Sequence, residues 1–298
     1  MRIVYLGSPQ MAVPPLRALV EAGHEVVLAV TNPPSRRGRR SGPQPTAVGA
    51  AAAELGIPVS HDPDDILATD ADLGVVVAFG RIIKPHVLAH LSMVNLHFSL
   101  LPRWRGAAPV ERAILAGDDR TGVCVMDVEE GLDTGGVYAS AEVDLSPGTS
   151  AHQLREQLVE LGTTLLVQAL SAPLGSPEPQ AAEGVTYAEK LTAEDLHLDW
   201  ERDAAALARV VAVGGAWTTV DGKRLKVLQA RAANAEEGTY ESVDAVEPPL
   251  PGELVDEVVS CGQGVLELQR VQPEGKAPMG AAAWLNGARL APGTRLGT

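Results

Sequence analysis

From Arg2 to Leu170, strand-length apolar runs alternate with helix-length stretches, which restricts this part of the chain to a mostly parallel sheet with helices on both faces. Residues 2–6, 25–31, 74–79, 94–98, 122–128 and 137–143 read as strands. Pro14 opens a helix where its missing N–H costs nothing, and Gly23 stops it. Thr46 to Leu55 is Ala-rich and closed by Gly56, and Pro109 to Ala116 reads as another helix. Ser150 and Gln153 have the spacing of a capping box, ahead of a long helix reaching about Leu170. Sites in such folds lie beyond the carboxyl ends of the strands.

The texture then changes. Residues 173–184 are rich in Pro, Gly, Ser and Glu, and a polar stretch runs on to Asp203. A short helix, Ala204 to Val213, precedes β-like runs at 217–220, 224–230, 252–259 and 265–271, with turn signals between them. Strands at that spacing fit a small barrel or sandwich. Residues 232–251 read as a long polar loop. The expected division is a first domain over 1–189, a linker over 190–202 and a second domain over 203–298.

With 298 residues and 45% hydrophobic residues, the chain can bury two ordinary cores. Its longest apolar runs are strand-length, too short to span a membrane, and no signal region opens the chain. The expectation is a cytoplasmic protein, and nothing calls for an obligate protein partner. Cys124 and Cys261 are too few for a disulfide framework, and no Cys/His spacing points to zinc. A formal net charge of -14 argues against indiscriminate nucleic-acid binding, but leaves room for a local basic patch. One is present: Arg36, Arg37, Arg39 and Arg40 lie between Pro33-Pro34 and Gly42-Pro43, in an irregular loop after the second strand.

The chemistry concentrates in Val94-Asn95-Leu96-His97-Phe98-Ser99-Leu100-Leu101-Pro102-Arg103-Trp104-Arg105-Gly106. Side chains alternate along a strand, so Asn95 and His97 share one side, about 7 Å apart. An amide can donate to an oxygen that is gaining charge, and an imidazole can move protons near neutral pH. Pattern alone leaves open a plainer reading, in which both residues simply hydrogen-bond to neighbouring loops. His61, His86 and His90 lack such a setting and read as structural or exposed. Glu129-Glu130-Gly131-Leu132-Asp133-Thr134-Gly135-Gly136 joins two strands, and its acid could orient a neighbouring histidine or be no more than a turn residue.

Together these segments resemble the folate-dependent formyltransferase family. The resemblance rests on Asn95-Leu96-His97, Ser99 to Pro102, Asp133-Thr134-Gly135 and the Arg103 to Pro109 stretch. It extends to Gly7-Ser8-Pro9, to Thr186-Tyr187-Ala188-Glu189-Lys190-Leu191 and to Pro292-Gly293. Ser8, Met11 and Ala277 depart from the usual pattern. The resemblance implies a Rossmann-like α/β catalytic domain followed by a small C-terminal OB-like β-barrel that contacts tRNA. It implies transfer from 10-formyltetrahydrofolate to the amine of methionyl initiator tRNA, without a metal. Asn95, His97 and Asp133 would be catalytic, with Asp133 helping His97 relay the proton. Arg81, Ile82, Ile83, Ser99, Leu100, Leu101 and Pro102 would bind the folate, with the Glu129–Asp133 loop closing one side. The basic loop, Arg37 foremost, would grip the tRNA acceptor end.

Three other readings compete. Relatives of the family formylate small-molecule amines or simply hydrolyse the formyl-folate. A nicotinamide-dependent oxidoreductase would share the opening strand, loop and helix, but Gly7 stands alone where Gly-x-Gly-x-x-Gly is required. A non-catalytic RNA-binding protein would have no use for the Asn95, His97 and Asp133 set.

Overall fold

β1 (Arg2–Gly7) is the pivot of the first sheet in the computed structural model, which describes residues 1–36, 42–233 and 249–297. Parallel to it on one side lies β2 (Glu25–Val30), followed by β3 (Val59–Ser60). On the other side lie β4 (Leu73–Val77) and β5 (Met93–His97), also parallel. β6 (Arg120–Asp127) runs antiparallel to β5, and β7 (Val137–Asp144) antiparallel to β6, completing the sheet in the order β7-β6-β5-β4-β1-β2-β3. The chain therefore reverses its direction of growth between β1 and β4, where ligands of such sheets bind.

Helices α1 (Val13–Glu21), α2 (Ala47–Glu54), α3 (Pro85–His90), α4 (Pro109–Ala116) and α5 (Ala151–Ala169) connect the strands. Thr46 caps α2, its hydroxyl accepting from the Gly49 N–H at 3.0 Å. Val4, Leu6, Val30, Val76 and Met93 form one core layer with Ile66, Phe79 and Val87. Leu96 instead meets α5 at Gly162, whose missing side chain leaves room for it. Helix α3 was not expected. Its six residues are too few to display a helical period, and Pro85 marks its start.

Contacts divide the chain into two units, one of residues 1–110, 120–144 and 153–190, the other of 111–119, 145–152 and 191–298. In the second, α6 (Ala204–Val213) is capped by the Asp203 carboxylate, which accepts from the Ala206 N–H at 2.7 Å. It shares one core with β8 (Trp217–Val220), β9 (Lys223–Ala233), β10 (Leu254–Val255), β11 (Val258–Ser260) and β12 (Val265–Pro273), and packs against β9 and β12. Among the described residues the sheet runs β8-β9-β12-β11-β10, all antiparallel, with β13 (Met279–Gly280) also on β12. Leu254 N–H donates to Thr294 O at 3.0 Å and Gly297 N–H to Thr219 O at 2.9 Å, so one C-terminal segment ties both edge strands. That curls the sheet towards closure and is compatible with a barrel.

Leu198 and Trp200, in the polar stretch before Asp203, are buried in this unit's core, together with Trp284 of α7 (Ala281–Ala288). The single strand expected over 252–259 is a hairpin of β10 and β11. Asp256 turns it with a φ of 48°, a left-handed conformation that Asp tolerates, and the flanking valines hide the turn from a pattern reading. Most of the loop expected over 232–251 lies outside the described residues, and β9 extends to Ala233. Cys124 and Cys261 are buried free thiols, pushed up by burial to about 11 and about 12. No helix among the described residues is long and apolar enough to cross a membrane.

An ion pair gives the second unit an acid-sensitive element. The Arg112 guanidinium donates to both Asp195 carboxylate oxygens at 2.7 and 3.3 Å, and the Thr192 N–H adds a bond at 2.8 Å. Arg112 chiefly, then Thr192, holds the Asp195 carboxyl down at about 2 against an ordinary 3.8. The lowered value stabilises the fold in full above 3.8, and the contribution is lost as pH falls through about 2. Asp195→Asn should therefore lower Tm at neutral pH, and the gap from wild type should close between those two values. A gap of constant size down to the lower value would show that the pair contributes nothing through charge.

Candidate active site

β5 carries the candidate pair Asn95 and His97. It is paired on both sides, to β4 and to β6, so its backbone is committed and its polar side chains are held on a rigid strand. His97 is 5% exposed. Its Nε2 lies 2.9 Å from the Trp104 carbonyl oxygen. A carbonyl only accepts, so Nε2 carries a hydrogen and the exchangeable proton belongs to Nδ1. Nδ1 faces Asp133, 3.7 Å from Oδ2, too far for a direct hydrogen bond but within ion-pair distance of a protonated imidazole. Asn95 shares the His97 side of β5 and is half-buried, and among the described residues its amide has no hydrogen-bond partner.

Asp133 reaches this position by an indirect path. Its loop leaves β6 at Asp127, paired with Val94 near the start of β5, then folds back to the other end of that strand. Asp133 has a φ of 51°. Its Oδ2 accepts from the Gly106 N–H at 2.7 Å. A side chain at Gly135 would meet the Asp127 carbonyl at 2.1 Å, so only glycine lets the loop close this tightly. Asp127, whose carboxyl burial pushes up, accepts from the Tyr138 hydroxyl at 3.4 Å.

The turn from Arg103 to Gly106 serves both groups, giving the Trp104 carbonyl to His97 and the Gly106 N–H to Asp133. It is held from below by Ser99, whose hydroxyl donates to the Arg103 carbonyl at 2.6 Å. Thr186 holds it from the side, its Oγ1 accepting from the Trp104 N–H at 2.9 Å. Residues Tyr187–Ala188 pair in parallel with Arg105–Gly106. Backbone partners of this kind leave no trace in a sequence pattern; the one signal was the Gly106 that permits a φ of 121°.

The other expected residues divide by exposure. Ser99 is fully buried and its hydroxyl is engaged within the turn, while Leu100, Leu101 and Pro102 are partly exposed beside it. Arg81 donates to the His61 carbonyl at 2.9 Å and lies over the Phe79 ring. Ile83 turns into the core, whereas Ile82 is 91% exposed. Leu132, in the Asp133 loop, is 60% exposed. Arg36 is exposed in a two-residue pairing, Ser35–Arg36 with Pro43–Gln44. Arg37, Arg39 and Arg40 lie outside the described residues. The root of that loop is fixed by Ser8, whose Oγ accepts from the Asn32 N–H at 3.1 Å. His86 pairs with Asp64 at 2.9 Å and His90 is exposed. Among the described residues no three His, Cys, Asp or Glu side chains are grouped to hold a metal ion.

Residues 1–170 match the family model described as formyl transferase, and residues 190–289 match that of the formyl transferase C-terminal domain. The chain is 42% identical to methionyl-tRNA formyltransferase of Gluconacetobacter diazotrophicus, covering 100% of both chains. It is 44% identical to that of a Methylobacterium species, covering 99% of each. Among solved structures, HypX from Aquifex aeolicus in complex with tetrahydrofolic acid superposes with a TM-score of 0.64 at 18% identity. That match covers 96% of this chain and 47% of HypX, so the chain spans about half of that protein, and the likeness is one of fold.

Proposed function

The chain belongs to the formyl transferase family, among the methionyl-tRNA formyltransferases, and on that premise we propose how its site moves a formyl group. The reaction takes the formyl group of 10-formyltetrahydrofolate to the amine of methionyl initiator tRNA, giving N-formylmethionyl-tRNA for translation initiation. The observation that carries this reading is His97, fixed through Nε2 by the Trp104 carbonyl and facing Asp133 through Nδ1, with the Asn95 amide, unpaired among the described residues, on the same strand.

Exposed Ile82 and Leu132, with Leu100, Leu101 and Pro102, offer the apolar surface that a flat aromatic folate requires. Arg81 and Ile83 support Ile82 on either side, and Ser99 keeps the neighbouring turn in place. When bound, the folate supplies a formyl carbon attached to a nitrogen able to leave. As the methionine amine adds to that carbon, electron density moves onto the formyl oxygen. Asn95 donates one hydrogen bond to this oxygen and His97 Nδ1–H a second. Asp133 stabilises the imidazolium through space. Asp133 takes the proton of the attacking amine while His97 gives its Nδ1 proton to the departing folate nitrogen as its bond to carbon breaks, and Asp133 then returns a proton to Nδ1.

Arg36, with Arg37, Arg39 and Arg40, gives an otherwise acidic chain one cationic segment for the phosphates of the acceptor end. The first domain, 1–189, would carry the chemistry. The second, 203–298, would add tRNA affinity across the 190–202 stretch. The test is formyl transfer measured with initiator methionyl-tRNA, other charged tRNAs and small amines. Transfer should be fastest by far to the initiator tRNA and should weaken as salt rises. Equal transfer to a free small-molecule amine would favour the small-molecule reading.

A further inference from the structure

We propose that Gln180 is a positioning residue for Asp133, holding its loop by two main-chain hydrogen bonds while Arg105 locks the orientation of its amide. This rests on the roles of His97 and Asp133 given above. Gln180 lies between the two matched family regions, in a Pro-rich stretch whose composition signals only a loop.

The hydrogen bonding of Gln180 is complete. Its Nε2 donates to the Asp133 carbonyl at 2.8 Å and to the Gly135 carbonyl at 2.7 Å. Its Oε1 accepts from Arg105 Nε at 3.1 Å and Nη2 at 2.7 Å. Arginine only donates and carbonyls only accept, so the amide has one possible orientation. A glutamate here would keep Arg105 but turn an acceptor towards two carbonyls.

The loop needs such a clamp. It leaves β6 far from His97, doubles back and carries Asp133 in a left-handed conformation. Gln180 fixes the Asp133 main chain from one side, and Gly106 fixes the carboxylate from the other. Arg105 is the neighbour of Gly106, so a single Arg105–Gln180 contact joins the turn that orients His97 to the loop that carries Asp133. The segment has its own anchor: Glu178 and Val137 exchange main-chain bonds of 2.8 and 2.9 Å. Removing the Gln180 side chain therefore frees the Asp133 main chain, with only the Gly106 N–H left on its carboxylate, and leaves the segment attached.

The experiment is a double-mutant cycle on steady-state transfer from 10-formyltetrahydrofolate to initiator methionyl-tRNA. Gln180→Met keeps the length and removes the hydrogen bonds. It should lower kcat by about 10- to 100-fold, as loss of positioning does, with a much smaller change in KM for the folate, whose proposed surface includes Leu132 of the same loop. Gln180→Glu should fall as far. In an Asp133→Asn background, Gln180→Met should change kcat less than about twofold, because the residue acts only through Asp133. An equal fold-loss in both backgrounds, or wild-type turnover in Gln180→Met, would overturn the proposal. Wild-type turnover in Asp133→Asn alone would overturn the site reading and this proposal with it. Should Gln180→Met not fold, Arg105→Met frees the amide instead and runs the same cycle to the same outcomes.

Discussion

His97→Ala should lower the rate of formyl transfer by roughly 10²- to 10⁴-fold while the protein stays folded, the loss expected when a positioned proton carrier is removed. The substitution opens space at the end of β5, but that strand keeps its ladders to β4 and β6, which do not involve the imidazole. The Trp104 carbonyl loses its bond from His97 but keeps the Ser99 hydroxyl at 3.4 Å, and the turn is still held by Ser99 and Thr186. Transfer is therefore the property that fails first. Unfolding in urea should match wild type, and folate affinity measured by equilibrium binding should be close to that of wild type. Turnover within a few-fold of wild type in a folded His97→Ala protein would remove His97 from the mechanism.

The sequence makes the first sheet legible because its strands are nearly all apolar and separated by clear helix starts and stops. Pro14, Gly23, Thr46 and Gly56 mark boundaries that the structure reproduces to within about one residue. It conceals what is short or irregular. α3 has too few residues for a period, and Asp256 breaks a valine-rich run without a glycine to announce it. Asn95 and His97 are visible because strand alternation puts them on one side. Asp133 is not, since its approach to His97 depends on a loop that doubles back, and only the family likeness singled it out. The groups that orient these three are mainly backbone, the Trp104 carbonyl and the Gly106 N–H, or come from a segment that reads as a loop, in Gln180 and Thr186. Contacts between residues this distant in the chain are made by folding and leave no periodic trace.

Asn95→Ala should cost about 3 kcal/mol of transition-state stabilisation, a rate loss on the order of 10²- to 10³-fold, the usual effect of deleting one donor to a developing oxyanion. The amide has no hydrogen-bond partner among the described residues, so the resting protein loses little when it is removed. A residue of this kind spends its hydrogen bond on the reaction and not on the fold. Its side chain is half-buried on a central strand, so the truncation leaves a small, partly solvated space without orphaning another polar group. The loss should consequently appear in kcat, with KM for the folate and for the tRNA nearly unchanged. Asn95→Asp separates donor from shape: it is nearly isosteric, but an ionised carboxylate offers the formyl oxygen a negative charge where a donor is needed. It should be at least as inactive as the alanine variant at neutral pH. If Asn95→Ala raised KM and left kcat intact, the amide would be a ground-state binding contact, and oxyanion stabilisation would have to come from His97 alone.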